Sequence, residues 1–106
     1  MSIIEITRKY FDLFSNKDLK NLGKLFSKNI SLIDWDINVS GKKNVIEAIS
    51  NIFSSVDSII IEEKNIYKND NIALCEIKIV INKTQILKVI DIIKFNNKNE
   101  IIEISA

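Results

Sequence analysis

The second half of the chain alternates apolar and polar residues, and this period of two limits the possible folds more than any other feature. It predicts four strands, at about residues 58–67, 71–81, 84–95 and 100–105. The segments between them hold two to four residues, whereas a crossover between parallel strands needs a dozen or more. Successive strands must therefore pair as antiparallel hairpins.

The first half of the chain has a helical period instead. Ser2 and Glu5 form a capping box in front of an apolar stripe, which predicts a first helix over about residues 3–15. Asp18 can cap a second, shorter helix that carries its own apolar stripe. Two helices therefore open the chain.

A strand and a third helix connect this opening to the hairpins. Residues 30–37 are rich in β-formers and follow a turn predicted at residues 28–29, so they predict a strand. A third helix begins at Ser40 and Gly41 and ends near Ser55. The sequence thus predicts one α+β domain, residues 1–106, in which three N-terminal helices pack on a curved, mostly antiparallel sheet.

The net charge and the hydropathy of the chain limit the kinds of partner that it can bind. Fifteen Lys and Arg residues oppose fourteen Asp and Glu residues, a net charge of +1, whereas nucleic-acid-binding proteins are usually far more basic. No apolar stretch approaches the roughly 20 residues that span a bilayer, and the N-terminus lacks the pattern of a signal sequence. We therefore expect a cytoplasmic protein that binds neither nucleic acid nor membranes.

The chain contains one cysteine, Cys75, and no histidine. An intramolecular disulfide, a Cys-rich zinc site and catalysis by Ser-His-Asp or Cys-His groups are therefore excluded. Any acid–base chemistry must use carboxylates, tyrosine or lysine.

Three such groups are predicted on apolar faces. Alternation in the strand over residues 84–95 places Asp91 among apolar neighbours, where burial favours the protonated carboxyl. Asp34 shares one face of the first strand with apolar residues, and Tyr10 lies on the buried stripe of the first helix. An apolar pocket on which a few polar groups converge is the default site hypothesis.

Each of these residues also has a structural interpretation. Tyr10 could be a core tyrosine that bonds a backbone carbonyl, and Asp34 could be a turn or capping residue. Asp91 is harder to explain by structure alone, because a carboxylate in the middle of an apolar strand face is costly to bury. Trp35 is better explained by packing than by ligand recognition. Cys75 is better explained as a small core residue than as a reactive thiol.

The order of elements is similar to the nuclear transport factor two-like fold. The segment YFDLFSNKDLKNLGKLFSKNISLIDW, from Tyr10 to Trp35, resembles the opening of bacterial ketosteroid isomerases without a gap, in its tyrosine, its D-L and L-F pairs and the aspartate that closes the first strand. The segment IDIIKFN, from Ile90 to Asn96, resembles the family's strand with the second oxyanion-hole acid. Resemblance to ketosteroid isomerases and other SnoaL-like proteins implies a cone-shaped barrel with an internal pocket.

The resemblance also implies roles for individual residues. Tyr10 corresponds to the oxyanion-hole tyrosine, Asp34 to the catalytic base and Asp91 to the second oxyanion-hole acid. Such an enzyme moves a C=C bond by shifting a proton α to a carbonyl through an enolate, and it needs no metal or cofactor. The ligand is then a small apolar carbonyl compound, and we expect the pocket to be lined by Trp35, Phe14, Phe53, Val89, Ile93 and Phe95.

Departures from the isomerases leave two other functions open. Trp35 follows the base where the family has a proline and a longer loop, and Ile49 replaces a supporting tyrosine. The chain could instead be a module that binds a small apolar ligand without turnover. It could also be a structural dimerisation domain whose pocket is plugged by Trp35, Phe53 or Phe95.

The resemblance further implies a homodimer. Members of the family usually pair through the outer face of the sheet. In this chain that face would present a polar, self-complementary surface made of Glu76, Lys78, Lys88 and Lys94.

Overall fold

The computed structural model describes all 106 residues. Three helices pack on a curved, six-stranded, mostly antiparallel sheet, so the predicted fold class is confirmed. In chain order the elements are α1 (Ile3–Ser15), α2 (Leu19–Leu25), β1 (Phe26–Ile33), β2 (Asn38–Ser40), α3 (Lys42–Ser55), β3 (Ile59–Asn69), β4 (Ile72–Ile81), β5 (Gln85–Phe95) and β6 (Ile101–Ser105).

The first two helices begin where the sequence predicts. The Oγ of Ser2 accepts a hydrogen bond from the Glu5 backbone N–H at 3.2 Å, and the Glu5 carboxylate accepts one from the Ser2 N–H at 3.1 Å. Asp18 caps α2 through its carboxylate. Between the helices Lys17 has a φ of 55°, and the Asp18 N–H donates to the Leu13 carbonyl at 2.9 Å. This left-handed residue ends α1 and turns the chain sharply into α2.

The hairpins also form as the loop lengths require. The β3–β4, β4–β5 and β5–β6 pairs are all antiparallel. In the β4–β5 turn Asn82 and Lys83 have φ values of 53° and 64°, and the Thr84 N–H donates to the Ile81 carbonyl at 3.1 Å. Two positive φ angles make a type I′ turn, whose twist matches that of the strands it joins.

The first strand differs from its prediction. β1 begins at Phe26 and ends at Ile33, not at residues 30 and 37, and the turn predicted at residues 28–29 lies inside it. The register with β6 shifts between Phe26 and Ser31, so a bulge absorbs the polar residues without ending the strand. The short strand β2 was not predicted, and residues 34–37 form the turn between β1 and β2.

The strand order is β2-β1-β6-β5-β4-β3, and only β1 and β6 pair in parallel. The sheet curves around the helices but does not close into a barrel, because β2 and β3 remain separate edges. No helix is long and apolar enough to cross a membrane.

The core is a cluster of 20 buried hydrophobic residues between the helices and the inner face of the sheet. Helix α1 packs on β3, and α3 packs on β1. Cys75 on β4 is fully buried in this cluster, and burial, followed by the nearby charge of Asp91, raises the pKa of its thiol to about 12. It is a core residue, as predicted, and its thiol stays protonated at neutral pH.

Candidate active site

A cavity of about 160 Å³ lies between the helices and the inner face of the sheet, and 15 of the 17 residues that line it are hydrophobic. Asp34 and Asp91 are the two charged exceptions, and Tyr10 supplies a third polar atom. The three acid–base residues predicted from the sequence therefore share one apolar cavity.

Tyr10 reaches the cavity from α1. Its ring is 3% exposed and packs against Phe11, Phe14 and Phe26, at centroid distances of 5.6, 5.8 and 6.4 Å. Every fully shielded polar side-chain atom in the structure has a hydrogen-bond partner. The Tyr10 hydroxyl bonds no protein atom, so it must face the cavity. Burial, followed by the charge of Asp91, raises the pKa of Tyr10 well above its usual value, which keeps the phenol protonated.

Asp91 projects inward from the middle of β5, opposite Cys75 on β4. The residue is 7% exposed and makes no hydrogen bond to the protein, so its carboxyl group also faces the cavity. Burial, followed by the negative charge of Asp34, raises its pKa to about 7. A large part of the Asp91 carboxyl is therefore neutral near pH 7 and can donate a hydrogen bond.

Asp34 lies immediately after β1, and its two carboxylate oxygens have different surroundings. Its Oδ1 accepts hydrogen bonds from the backbone N–H groups of Asp36 at 2.7 Å and Ile37 at 2.6 Å, which closes the turn before β2. The structural interpretation is therefore correct for this oxygen. The residue also lines the cavity, and its Oδ2 bonds no protein atom, so this oxygen can accept a proton.

Together these groups suit the removal of a proton from a carbon next to a carbonyl group. A phenol and a neutral carboxyl are two hydrogen-bond donors, and an apolar surrounding strengthens their bonds to a developing oxyanion. The free oxygen of Asp34 is a base in the same cavity.

Three of the six residues that were predicted to line the pocket do so, and three do not. Phe14, Trp35 and Val89 line the cavity. Trp35 is 67% exposed, so it stands at the mouth and does not fill the pocket. Phe53, Ile93 and Phe95 do not line it.

These three residues lie in the core for identifiable reasons. Phe53 packs edge-on against Phe14 at 4.8 Å and is buried. Ile93 and Phe95 continue the inner face of β5 beyond Asp91 and are completely buried. None of the residues expected to plug the pocket therefore fills it.

Most of the remaining wall is aliphatic and was not predicted as lining. The members come from β1, β3, β4, β5, β6, α3 and the residue after β6, and they are Leu32, Ile33, Ile49, Ile52, Ile59, Ile61, Ile79, Ile81, Leu87, Ile104 and Ala106. Alternation marks several of them as inward-facing, but it cannot distinguish core from cavity. No three potential metal ligands lie close together.

Comparison with known proteins places this chain in a known family. The model of the SnoaL-like domain matches residues 3–88. No curated protein matches the sequence.

Solved structures match nearly the whole chain at low sequence identity. A proposed polyketide cyclase from Sinorhizobium meliloti has a TM-score of 0.86 at 14% identity, and the match covers 99% of this chain and 98% of that one. A proposed ketosteroid isomerase from Kribbella flavida has a TM-score of 0.84 at 10% identity, with 97% and 74% covered. An NTF2-like protein of unknown function from Cytophaga hutchinsonii has a TM-score of 0.83 at 8% identity, with 99% and 88% covered. At such identities the likeness shows the fold and not the activity.

Proposed function

Since the chain belongs to the family of SnoaL-like domains, we propose that it is an isomerase that shifts a proton α to the carbonyl group of a small molecule. One observation carries the proposal. Two hydrogen-bond donors, the Tyr10 hydroxyl and the neutral form of the Asp91 carboxyl, share one apolar cavity with the carboxyl group of Asp34. Among the structurally similar proteins, one is described as a proposed isomerase of the SnoaL-like family and another as a proposed ketosteroid isomerase.

The reaction proceeds in two proton transfers. The Oδ2 of Asp34 takes a proton from the α carbon of a β,γ-unsaturated ketone, and the electron pair of that C–H bond moves onto the carbonyl oxygen to give a dienolate. The hydroxyl of Tyr10 and the protonated carboxyl of Asp91 donate hydrogen bonds to this oxygen. Asp34 then returns the proton to the γ carbon, which gives the α,β-unsaturated ketone and restores the base.

The turn that holds Asp34 supports its role as base. Two backbone N–H groups fix Oδ1, so the carboxylate cannot rotate freely and Oδ2 has a defined direction. A base held in position avoids part of the entropic cost of reaching the transition state.

The Asp34→Asn variant tests this assignment, because an asparagine amide oxygen can still accept both backbone hydrogen bonds while the base is lost. We expect the rate of isomerisation of a β,γ-unsaturated cyclohexenone, followed by the absorbance of its conjugated product, to fall about 100-fold or more. Asp36→Asn is the matched control, since it removes an exposed carboxylate two residues away and should leave the rate unchanged. An Asp34→Asn variant with the rate of the wild type would contradict the role of Asp34.

The turn contacts of Asp34 also favour a second function, binding without turnover. If the carboxylate serves only to close the turn, Tyr10 and Asp91 still form a donor pair that can hold a carbonyl oxygen. In that case the cyclohexenone binds to the wild-type protein but is not isomerised.

A further inference from the structure

The size of the cavity limits what it can hold. A cavity of about 150 Å³ in a protein core accommodates one benzene ring, whereas pockets for drug-sized ligands measure about 300 to 1,000 Å³. The present cavity of about 160 Å³ is close to the first of these values. The enclosed part of this cavity therefore holds one six-membered ring, and the second ring of a fused system would extend past the mouth.

The position of the mouth shows how a ligand is oriented. Along the inner face of β5, Asp91 is buried, while Val89 and Leu87 are half-buried and the β4–β5 turn follows. Trp35 is also exposed at the rim. The cavity therefore opens toward the β4–β5 turn and has its donors, on Tyr10 and Asp91, at the deep end.

Charge at the site selects against anions. No lysine or arginine lines the cavity, but two carboxyl groups do. The nearby basic side chains are engaged elsewhere, because Arg8 pairs with Glu63 at 2.9 Å and Lys17 donates to the backbone carbonyls of Phe53 and Val56. An anionic ligand would lose its hydration without gaining a cation, which is costly.

The polar groups at the deep end favour an oxygen acceptor over an amine. The hydroxyl of Tyr10 and a neutral Asp91 both have a proton to donate, and neither bonds a protein atom. An ammonium group has no acceptor, so it can use neither of these protons and can bond only the oxygen atoms of the carboxyl groups. A carbonyl oxygen accepts from both.

We infer that the pocket selects neutral carbonyl compounds of single-ring size and excludes fused-ring and anionic compounds. This inference rests on the proposed function for the carbonyl group, while the limits on size and charge follow from the cavity itself. The carbonyl oxygen lies against Tyr10 and Asp91, and the ring fills the aliphatic part of the cavity below Trp35.

Calorimetric titration of the whole protein at pH 7 tests the inference with four probes. These are conjugated cyclohexenone, a two-ring decalone, cyclohexanecarboxylate and cyclohexylamine. We expect saturable binding of the cyclohexenone and at least about tenfold weaker binding of the other three. Equal or tighter binding of the decalone would overturn the size limit, and equal or tighter binding of the acid or the amine would overturn the charge selection. Failure of all four to bind would overturn the inference as a whole.

A variant that enlarges the mouth gives a second, independent readout. Leu87→Ala removes part of the cavity wall and should increase the affinity for the decalone at least about tenfold. Leu74→Ala is the matched control, since Leu74 is 41% exposed and points away from the cavity. Equal decalone affinities in the two variants would contradict the proposed boundary of the pocket.

These titrations measure binding and not turnover, so the two proposals can fail separately. If the probes bind in the expected order but the β,γ-unsaturated cyclohexenone is not isomerised, the proposed function fails and the selectivity stands. If the cyclohexenone is isomerised but the decalone binds equally well, the function stands and the size limit fails.

Discussion

Asp91 lies on an apolar strand face and has no hydrogen-bond partner in the protein, so its ionisation should cost folding stability. Its pKa is about 7 in the folded protein and close to 3.9 in an unfolded chain. Between these values the folded state binds a proton that the unfolded state has already lost. Stability should therefore fall as the pH rises from about 4 to 7, by up to about 4 kcal/mol.

The Asp91→Asn variant tests this expectation. The free energy of unfolding of the variant, measured by urea denaturation, should exceed that of the wild type by a few kcal/mol at pH 8, on the order of the ionisation cost. The two values should converge near pH 4. Asp12→Asn, at an exposed position on α1, is the control and should show no such difference. A variant that is equally stable or less stable at pH 8 would contradict the burial of an ionisable Asp91.

The face of a strand or helix on which a side chain lies was predictable where the period of the sequence alone determines it. Alternation correctly put Asp91 on the inner face of its strand, and helical spacing put Tyr10 on the buried stripe of α1. A turn role for Asp34 was one of its two interpretations, but its hydrogen-bond partners were not predictable, because they depend on where β1 ends. The core positions of Phe53, Ile93 and Phe95 depend on where the cavity stops, which no periodic pattern encodes.

One side chain from a distant part of the sequence binds the C-terminus of α3. The Nζ of Lys17 donates to the carbonyls of Phe53 at 2.9 Å, Val56 at 2.7 Å and Asp57 at 3.3 Å. These carbonyls lie at or just beyond the last turn of the helix, where a cation satisfies free acceptors and interacts favourably with the helix dipole. Lys17 thereby ties the α1–α2 corner to α3, which carries Ile49 and Ile52 of the cavity wall.

Lys17→Met should therefore lower the free energy of unfolding by about 1 to 2 kcal/mol, because it keeps most of the side-chain volume but removes three charge-assisted contacts. Lys9→Met, at an exposed position on α1, should change it by less than about 0.5 kcal/mol. Thermal or urea unfolding of the two variants measures the difference. Equal stabilities would show that the Lys17 contacts contribute nothing.

Elements bounded by strong local signals were predicted within one or two residues, including α1, α3 and the three hairpins. Their caps and turns are determined by neighbouring residues, such as the capping box and the Asn82–Lys83 turn. The predicted start of β1 was wrong because Lys28 and Asn29 resemble a turn in sequence. They lie in a bulge between the residues of β1 that pair with β6, which is distant in the sequence.

At the scale of the whole molecule, we propose that the outer face of the sheet pairs two copies of the chain. Leu74, Ile86 and Ile90 are 41%, 54% and 50% exposed on this face. Lys88 lies directly opposite Lys78 and forms no ion pair within the chain, although Lys78 approaches Glu62 at 3.6 Å. A second copy could bring its Glu76 to Lys88 while covering the apolar side chains.

Light scattering should therefore give twice the mass of the chain. Ile90→Glu should shift the protein toward the monomer, because it places a charge in the centre of the buried face. Lys24→Glu, at an exposed position on α2, should leave the mass unchanged. A wild-type protein that stays monomeric at high concentration would contradict the dimer.

We propose that a neutral Asp91 donates a hydrogen bond to an enolate oxygen, and the pH dependence of catalysis is the sharpest test of this role. The measurement is kcat/KM for the β,γ-unsaturated cyclohexenone from about pH 6 to 9, for the wild type and for Asp91→Asn. For the wild type we predict a fall as the pH rises through about 7, since the donor proton is lost with the pKa of Asp91. Asp91→Asn, which keeps a donor that does not titrate, should show no such fall. A wild-type rate that is constant or increases across pH 7, or a variant that retains the same fall, would contradict the account.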